Sequence, residues 1–308
     1  LSKFDTTDRL FASLSSDRIR INEEETRLLV ETIQEHCGVT LSIASGFFLE
    51  RRLVPRLEAL GLASFLDYYQ YLRYDPAGPR EMEELIERIT THETYFFREQ
   101  YQLDAFSDEI LPTLAHLNER NRRLAIWSAG CSTGEEVYTI AMLLLESGLF
   151  KGWNLRVAGS DISRKVVTTA RTALYGENSF RTTDALLRRK YFAEKDGRWV
   201  VRDEVRSMCS FGQLNLLTTE RFRVLGACDV IFCRNVLMYL SQEARHRVVE
   251  AFFDRLTPGG YLLLGHSESL LNVTTRFDLA HLQKDLVYRK PLDAAPPSPT
   301  GSTSEFER

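Results

Sequence analysis

The sequence contains no Cys-x-x-Cys pair, and its five cysteines, Cys37, Cys131, Cys209, Cys228 and Cys233, are scattered and odd in number. The closest two bracket the apolar run DVIF and have no pair of histidines nearby. A disulfide framework and a cysteine–histidine zinc site are therefore not expected, and the thiols read as small core residues of a protein in a reducing, cytoplasmic setting. No apolar run reaches the roughly 18–20 residues of a membrane-spanning helix. The first ten residues, LSKFDTTDRL, lack the apolar core of a signal peptide. Leu1, in place of an initiator methionine, fits a fragment of a longer product. There is no excess of positive charge: 39 Lys and Arg against 43 Asp and Glu give a net charge of −4. A nucleic-acid binder that relies on bulk charge is thereby disfavoured, though a local basic face is not. Hydrophobic clusters are missing from 291–308, PLDAAPPSPTGSTSEFER, which holds four of the nine prolines. That composition is expected to form a disordered tail or linker.

The 308 residues as a whole are 44% hydrophobic and 27% charged, an ordinary globular composition with length for two domains. Residues 1–90 read as helical. Asn22 and Glu25 have capping-box spacing, as do Ser64 and Asp67. The segment FFLERRLVPRLEALG puts Phe48, Leu49, Leu53, Leu57 and Leu60 on one side, interrupted by Arg51, Arg52 and Arg56. Pro55 lies inside it and is expected to kink or split the helix, because it has no N–H to bond back to Arg51. A further helix follows Pro79, so a small all-α domain is expected over 1–90. From residue 91 to about 290, helical patterns alternate with the buried strands RLAIWSAG, LRVAGSD, CDVIFCRN and YLLLGHSES. This is the rhythm of a doubly wound α/β sheet. The segment SRKVVTTARTALY reads as helix, and FDLAHLQKDLVYRK alternates like a hairpin. An inserted stretch near 190–210 carries Asp196-Gly197, a hairpin turn signal, and is expected to form a small antiparallel β-subdomain.

Chemistry concentrates after the first of these strands, in AGCSTGEE. Gly130, Ser132 and Gly134 are small residues that let backbone N–H groups approach a ligand at the positive end of the next helix. A plain strand-to-helix turn would look the same. Glu135 and Glu136, however, would repel a phosphate and suit a cation. Asp161 closes the next strand, where an acid can accept both hydroxyls of a ribose. A ligand with a sugar, a positive group and no pyrophosphate matches S-adenosylmethionine.

These residues belong to a longer series: THETYFFRE, WSAGCSTGEEVY, GSDIS, QLNLL, IFCRNVLMYL and GHSESL, in that order. In this the chain resembles the chemotaxis receptor glutamate methyltransferases, the CheR family, from about residue 20 to 290. The resemblance implies an all-α domain joined to a Rossmann-like, class I methyltransferase domain with an inserted antiparallel β-subdomain. It further implies S-adenosylmethionine as cofactor and S-adenosylhomocysteine as product. Thr94 and Arg98 match the cofactor-binding junction, and His92 stands where the family most often has Asn. Glu135 is expected to hold the methionine amino group, with Glu136 as its rival, and Asp161 the ribose. Asn215 and Leu216 are expected to flank the adenine, and Arg234 and Asn235 to lie beside the cofactor. Tyr239 matches a tyrosine at the reaction centre, although a core aromatic at the head of a helix would read alike. Arg98 is the second residue placed at that centre, and it could equally cap a neighbouring helix.

The implied reaction is methyl esterification of chemoreceptor glutamates in sensory adaptation, on the receptors' cytoplasmic helices. A carboxylate nucleophile is ionised at neutral pH, with a pKa of about 4.3, and needs no general base. Arg51, Arg52 and Arg56 are candidate docking residues for those acid-rich helices, or simply a solvated face. No metal, nucleic acid or membrane insertion is expected, and the protein is expected to be a monomer. Some family members capture a receptor C-terminal pentapeptide by adding it as a strand to the β-subdomain. The short hairpin here, with its single glycine, suggests independence from such a peptide. Two other classes compete: a non-catalytic S-adenosylmethionine-binding adaptor, and a nicotinamide-dependent dehydrogenase, which Glu135-Glu136 opposes.

Overall fold

The computed structural model describes residues 19–297. The expectations for 1–18, and for most of the proposed tail, 298–308, lie outside the described residues. Contacts divide the chain into two units. One is Thr40–Thr90 with the chain up to Glu35; the other is His36–Val39 with the chain from Thr91 onward.

The first unit is helical: α1 (Glu23–Cys37), α2 (Gly46–Leu60), α3 (Phe65–Tyr74) and α4 (Gly78–Ile89). Both sequence caps form. Asn22 Oδ1 accepts the Glu25 N–H at 2.9 Å while Glu25 Oε2 accepts the Asn22 N–H at 2.9 Å, and Ser64 Oγ accepts the Asp67 N–H at 3.1 Å. Each satisfies donors that a first helical turn leaves open, worth about 1 kcal/mol. Helix α4 packs on α2 and α3. Pro55 neither splits nor ends α2, which runs unbroken from Gly46 to Leu60. Pro55 and Arg51 are exposed, so water can satisfy the Arg51 carbonyl, while burial of Leu49, Leu53 and Leu57 on both sides of the proline keeps the helix continuous.

The second unit contains, in chain order, α5 (Gln100–Ala105), α6 (Leu111–Leu117), β1 (Arg123–Ala129), α7 (Glu135–Ser147), β2 (Asn154–Asp161), α8 (Arg164–Thr172), β3 (Leu174–Tyr175), α9 (Ala185–Tyr191), β4 (Phe192–Lys195), β5 (Arg198–Val201), α10 (Asp203–Arg206), β6 (Cys209–Gln213), β7 (Cys228–Cys233), α11 (Gln242–Arg255), β8 (Leu256–Leu264), β9 (Asp278–His281) and β10 (Leu286–Arg289). A seven-stranded sheet runs in the order β6-β2-β1-β7-β8-β10-β9. Its first five strands are parallel, and β10 is antiparallel to both β8 and β9. Successive residues face opposite sides: Ile126, Val157, Val230 and Leu263 enter one core cluster, Trp127, Ala158, Ile231 and Leu262 the other. Burial on both faces is why these strands read as unbroken apolar runs.

A second sheet, β3-β5-β4, is antiparallel, with β4 and β5 joined through Asp196-Gly197. It starts upstream of the stretch 190–210, and Cys209–Gln213 joins the large sheet instead. The helix read through Tyr175 stops at Thr172, where Ala173 takes a left-handed φ of +54° and the chain enters β3. In the large sheet the strand order reverses at β1. An α/β sheet places its ligand crevice at such a switch point, outside the carboxyl ends of the strands.

Candidate active site

After Ala129 the chain turns through Gly130–Gly134 into α7. Gly130 has φ +79°, and a Cβ there would overlap Val236 Cγ2, so the loop after β1 passes against the loop after β7. Gly134 has φ +93°, and a Cβ there would stand 2.8 Å from that of Ala170. Neither position admits a side chain without displacement. Between them Ser132 is left-handed without being glycine, at φ +49°. Its N–H donates to Asp161 Oδ2 at 2.9 Å, and its Oγ donates to the His92 carbonyl at 3.2 Å. Asp161 Oδ1 accepts the Ser163 N–H at 3.0 Å, and Ser163 Oγ in turn caps α8 at Val166 N, 3.1 Å. A carboxylate offers about four lone-pair sites, and these two backbone bonds fix it at the exit of β2.

The adjacent acids have different surroundings. Glu135 is only 2% exposed and accepts from Thr133 Oγ1 at 2.6 Å and Ser179 Oγ at 3.0 Å. Burial raises its pKa, and these hydroxyls only partly oppose the rise. Glu136 accepts from Ser128 Oγ at 2.7 Å and pairs with Arg234 Nη1 at 3.1 Å. Arg234 Nη2 donates to the Arg98 carbonyl at 2.7 Å and to Glu99 Oε2 at 3.0 Å. Burial by itself would lower the Arg234 pKa, but Glu136 and Glu99 outweigh it and the group lies above its ordinary value. Its Nε is buried with no hydrogen-bond partner among the described residues.

Residues 91–99 are pinned along the small sheet and α7. Phe96 N donates to the Ser179 carbonyl at 2.9 Å, and Phe97 N to Thr139 Oγ1 at 3.2 Å. The Phe96 ring lies 4.8–5.1 Å from those of Tyr175, Phe180 and Phe192. Arg98 Nη1 donates to the Glu93 carbonyl at 3.0 Å, inside the same segment. Phe97 and Glu99 are left-handed, at φ +57° and +58°. With Ser132 and Asn235 (φ +58°) they are four of the eight non-glycine residues of positive φ among those described, all on these loops. Each costs on the order of 1–3 kcal/mol and persists only where the surroundings enforce it.

The other strand exits complete the rim. Leu214 N donates to the Asp161 carbonyl at 2.8 Å, placing Asn215 and Leu216 beside β2. The Asn215 side chain accepts Leu217 N at 3.0 Å and donates to the His36 carbonyl at 2.6 Å. Leu216 packs half-buried on the cluster that holds Trp127. Tyr239 ends the one-turn helix Leu237–Tyr239 and is 47% exposed, with no hydrogen bond from its hydroxyl to a described residue. It is therefore not a core aromatic. Thr94 is half-buried and makes no side-chain hydrogen bond to a described residue.

Two family models match: the all-alpha domain of CheR methyltransferases over residues 24–90, and the SAM binding domain of CheR methyltransferases over 92–286. The chain belongs to the CheR methyltransferase family. A chemotaxis protein methyltransferase of Borreliella burgdorferi is 36% identical over 257 residues, 82% of this chain and 90% of that protein. Chemotaxis protein methyltransferase 2 of Vibrio cholerae is 34% identical over 256 residues, 82% of this chain and 88% of that protein. Chemotaxis protein methyltransferase 1 of Pseudomonas aeruginosa is 32% identical, covering 83% and 94%.

The cofactor of a CheR methyltransferase is S-adenosylmethionine, and the residues at the switch point fit it. Glu99, Glu135, Glu136 and Asp161 outnumber Arg98 and Arg234, which suits a cationic ligand. Residues 130–136 contain no Lys or Arg to receive a pyrophosphate. Among the described residues no group of three His, Cys, Asp or Glu could hold a metal ion, and no helix is long and apolar enough to cross a membrane. Of the docking candidates, Arg51 and Arg52 are exposed on α2. Arg56 is instead engaged by both oxygens of buried Glu81, which also accepts from Tyr68 Oη at 2.9 Å, so it is not open to a partner. Sequence reasoning missed Glu268, whose carboxylate accepts four backbone N–H groups at the exits of β7 and β8. Its only sequence signal is an acid in GHSESL. Glu99 and Ser179 were missed too, because their partners are far away in sequence.

Proposed function

We propose that this CheR methyltransferase esterifies glutamate side chains on the cytoplasmic helices of chemoreceptors, as part of sensory adaptation. The observation that carries the reading is Tyr239: an exposed hydroxyl with no hydrogen bond to a described residue, four residues beyond Asn235 on the segment after β7, whose Val236 packs against the β1 loop at Gly130. A substrate side chain arriving from solvent would meet that hydroxyl.

In this reading Asp161 accepts the ribose hydroxyls while keeping Ser132 in its left-handed conformation. Glu135 faces the cofactor's ammonium, because Glu136 is already neutralised by Arg234. Asn215 and Leu216 flank the adenine, and His92, Thr94 and Asn235 line the remaining wall. Arg98 and Arg234 act on the loops: Arg234 ties the backbone of Arg98 to Glu99 and Glu136, and the Arg98 side chain closes the junction on Glu93. A free guanidinium gripping the nucleophile would blunt it. Bound S-adenosylmethionine would supply a methyl on a sulfonium: formation of the ester C–O bond would break the C–S bond, whose electron pair would stay on sulfur in a neutral thioether. Anion and cation become two neutral products, and no proton moves, so the chain needs no general base. Its residues contribute alignment of the reacting carboxylate, with Tyr239 as orienting donor, an effect that reaches roughly 7–11 kcal/mol in the best cases.

Exposed Arg51 and Arg52 support docking of an acidic receptor helix on α2. The two-residue turn between β4 and β5 supports independence from a receptor C-terminal pentapeptide, since it leaves little loop to close over an added strand. We further assign the protein to the cytoplasm as a monomer. Incubation with labelled S-adenosylmethionine and receptor cytoplasmic fragments, read by mass spectrometry, tests the reading. Methyl esters on glutamates are expected. Cofactor binding with no transfer to any receptor fragment would instead identify an adaptor module. Micromolar binding of the pentapeptide Asn-Trp-Glu-Thr-Phe would refute tether independence.

A further inference from the structure

We infer that Glu268 is a positioning residue for methyl transfer, acting through the loop that carries Asn235 and Tyr239; the inference rests on the proposed placement of Tyr239 at the reacting centre. Glu268 lies beyond β8, and the hydrogen bonds of its carboxylate to described residues go to neither Tyr239 nor the β1 loop. Its Oε2 accepts Asn235 N at 2.7 Å and Gly265 N at 2.8 Å; its Oε1 accepts Val236 N at 2.9 Å and Met238 N at 3.1 Å. Three of the four donors, the N–H groups of Asn235, Val236 and Met238, belong to one turn. Such a concave run of backbone donors is an anion nest, and here the anion comes from the protein itself.

The geometry has a consequence for the site. Asn235 is left-handed, and Val236 at φ −123°, ψ −49° leads directly into Leu237–Tyr239. These dihedrals aim Tyr239 outward. The side chain of Arg234, on the near side of the turn, is held independently by Glu99, Glu136 and the Arg98 carbonyl. Removing the Glu268 charge therefore frees the turn between a fixed Arg234 and the start of α11, while Asp161, Glu135 and the β1 loop keep their own bonds. Transfer should suffer more than cofactor binding. Glutamine has the same shape but only one acceptor oxygen, and its NH2 would confront two of the four donors. Aspartate keeps both acceptor oxygens on a shorter stem.

The experiment compares Glu268→Gln, Glu268→Asp, Tyr239→Phe and the Glu268→Gln/Tyr239→Phe double variant in the full chain. It measures labelled-methyl transfer to a receptor cytoplasmic fragment, calorimetric S-adenosylhomocysteine affinity, and amide hydrogen exchange. Glu268→Gln should lower kcat by about 10- to 100-fold, the scale of misplacing a reacting group by about 1 Å. Affinity should fall by less than kcat, because of the residues lining the cofactor only Asn235 lies on the freed turn, and Glu268→Asp should recover much of the rate. Because both residues act through one hydroxyl, the double variant should be no more than about threefold slower than the slower single variant, a non-additivity that loss of folded protein would not produce. Exchange at residues 235–240 should accelerate in Glu268→Gln with the sheet unchanged. Rates that multiply in the double variant, unaltered exchange at 235–240, or cofactor binding abolished in both Glu268 variants would overturn the inference. Exchange and affinity require no methyl transfer. If they respond as expected while the wild type esterifies no receptor fragment, the functional reading fails and the clamp on the turn stands.

Discussion

Replacement of Asp161 by alanine separates two roles that one carboxylate holds. Without ligand, Asp161 accepts Ser132 N at 2.9 Å and Ser163 N at 3.0 Å, and all three residues are buried. Alanine leaves both donors without that acceptor. At about 1–3 kcal/mol per orphaned buried group, the unliganded protein should lose about 2–6 kcal/mol. For a unit of this size about 1 kcal/mol shifts Tm by roughly 2–4 °C, so a fall of roughly 5–20 °C is expected in the unliganded state. Asparagine retains one acceptor oxygen and should lose about half as much. Ligand binding adds a separate loss. Removing a charged acceptor from the ribose hydroxyls should weaken S-adenosylhomocysteine by about 1.5–3 kcal/mol, or roughly 10- to 150-fold. Scanning calorimetry of the unliganded variants and titration of S-adenosylhomocysteine measure the two losses separately. A lowered Tm with unchanged affinity would refute the ribose assignment and leave Asp161 as a shaper of the β1 loop. Lost affinity with a Tm within about 2 °C of wild type would refute the claim that its backbone bonds hold that loop.

Tyr239→Phe should cut kcat and kcat/KM together while S-adenosylhomocysteine affinity is preserved, because the hydroxyl serves the transition state rather than the pocket; parallel loss of affinity in calorimetry would make it a pocket wall. Arg56→Met should destabilise the helical unit by about 3 kcal/mol in denaturant unfolding, since it strands the buried Glu81 carboxylate. Arg51→Ala and Arg52→Ala should leave stability within about 0.5 kcal/mol and raise the KM for receptor. Glu135, whose pKa burial raises, should lose a proton when the cofactor's ammonium binds. Affinity for S-adenosylhomocysteine should therefore rise with pH through the window between the ordinary and the raised carboxylate values, while the stability of the unliganded protein, on this group's account, falls through the same window. Calorimetry in buffers of differing ionisation enthalpy should detect proton release there, and Glu135→Gln should abolish it.

The sequence by itself determined what short-range physics controls. Asn22 with Glu25 and Ser64 with Asp67 announce helix starts because a cap needs only a side chain and an N–H a few residues apart. Buried parallel strands announce themselves as apolar runs because both faces are covered. The turn AGCSTGEE, the acid at Asp161 and the order of the motifs were legible for the same reason, each being contiguous. Pro55 shows the limit of local reasoning: the missing N–H was visible, but the burial of Leu49, Leu53 and Leu57 that overrides it is a tertiary fact. So is the end of α8 at Ala173, where the chain turns into β3 to pair with β5. Only the tertiary structure shows Glu136 paired with Arg234, 98 residues away, the contact on which the proposed preference for Glu135 rests. It also withdrew Arg56 from the open face by pairing it with Glu81, and it recruited Glu268 to a turn 30 or more residues away. Buried charges and backbone donors must find partners wherever the fold brings them, and such partnerships leave no period or spacing in the sequence.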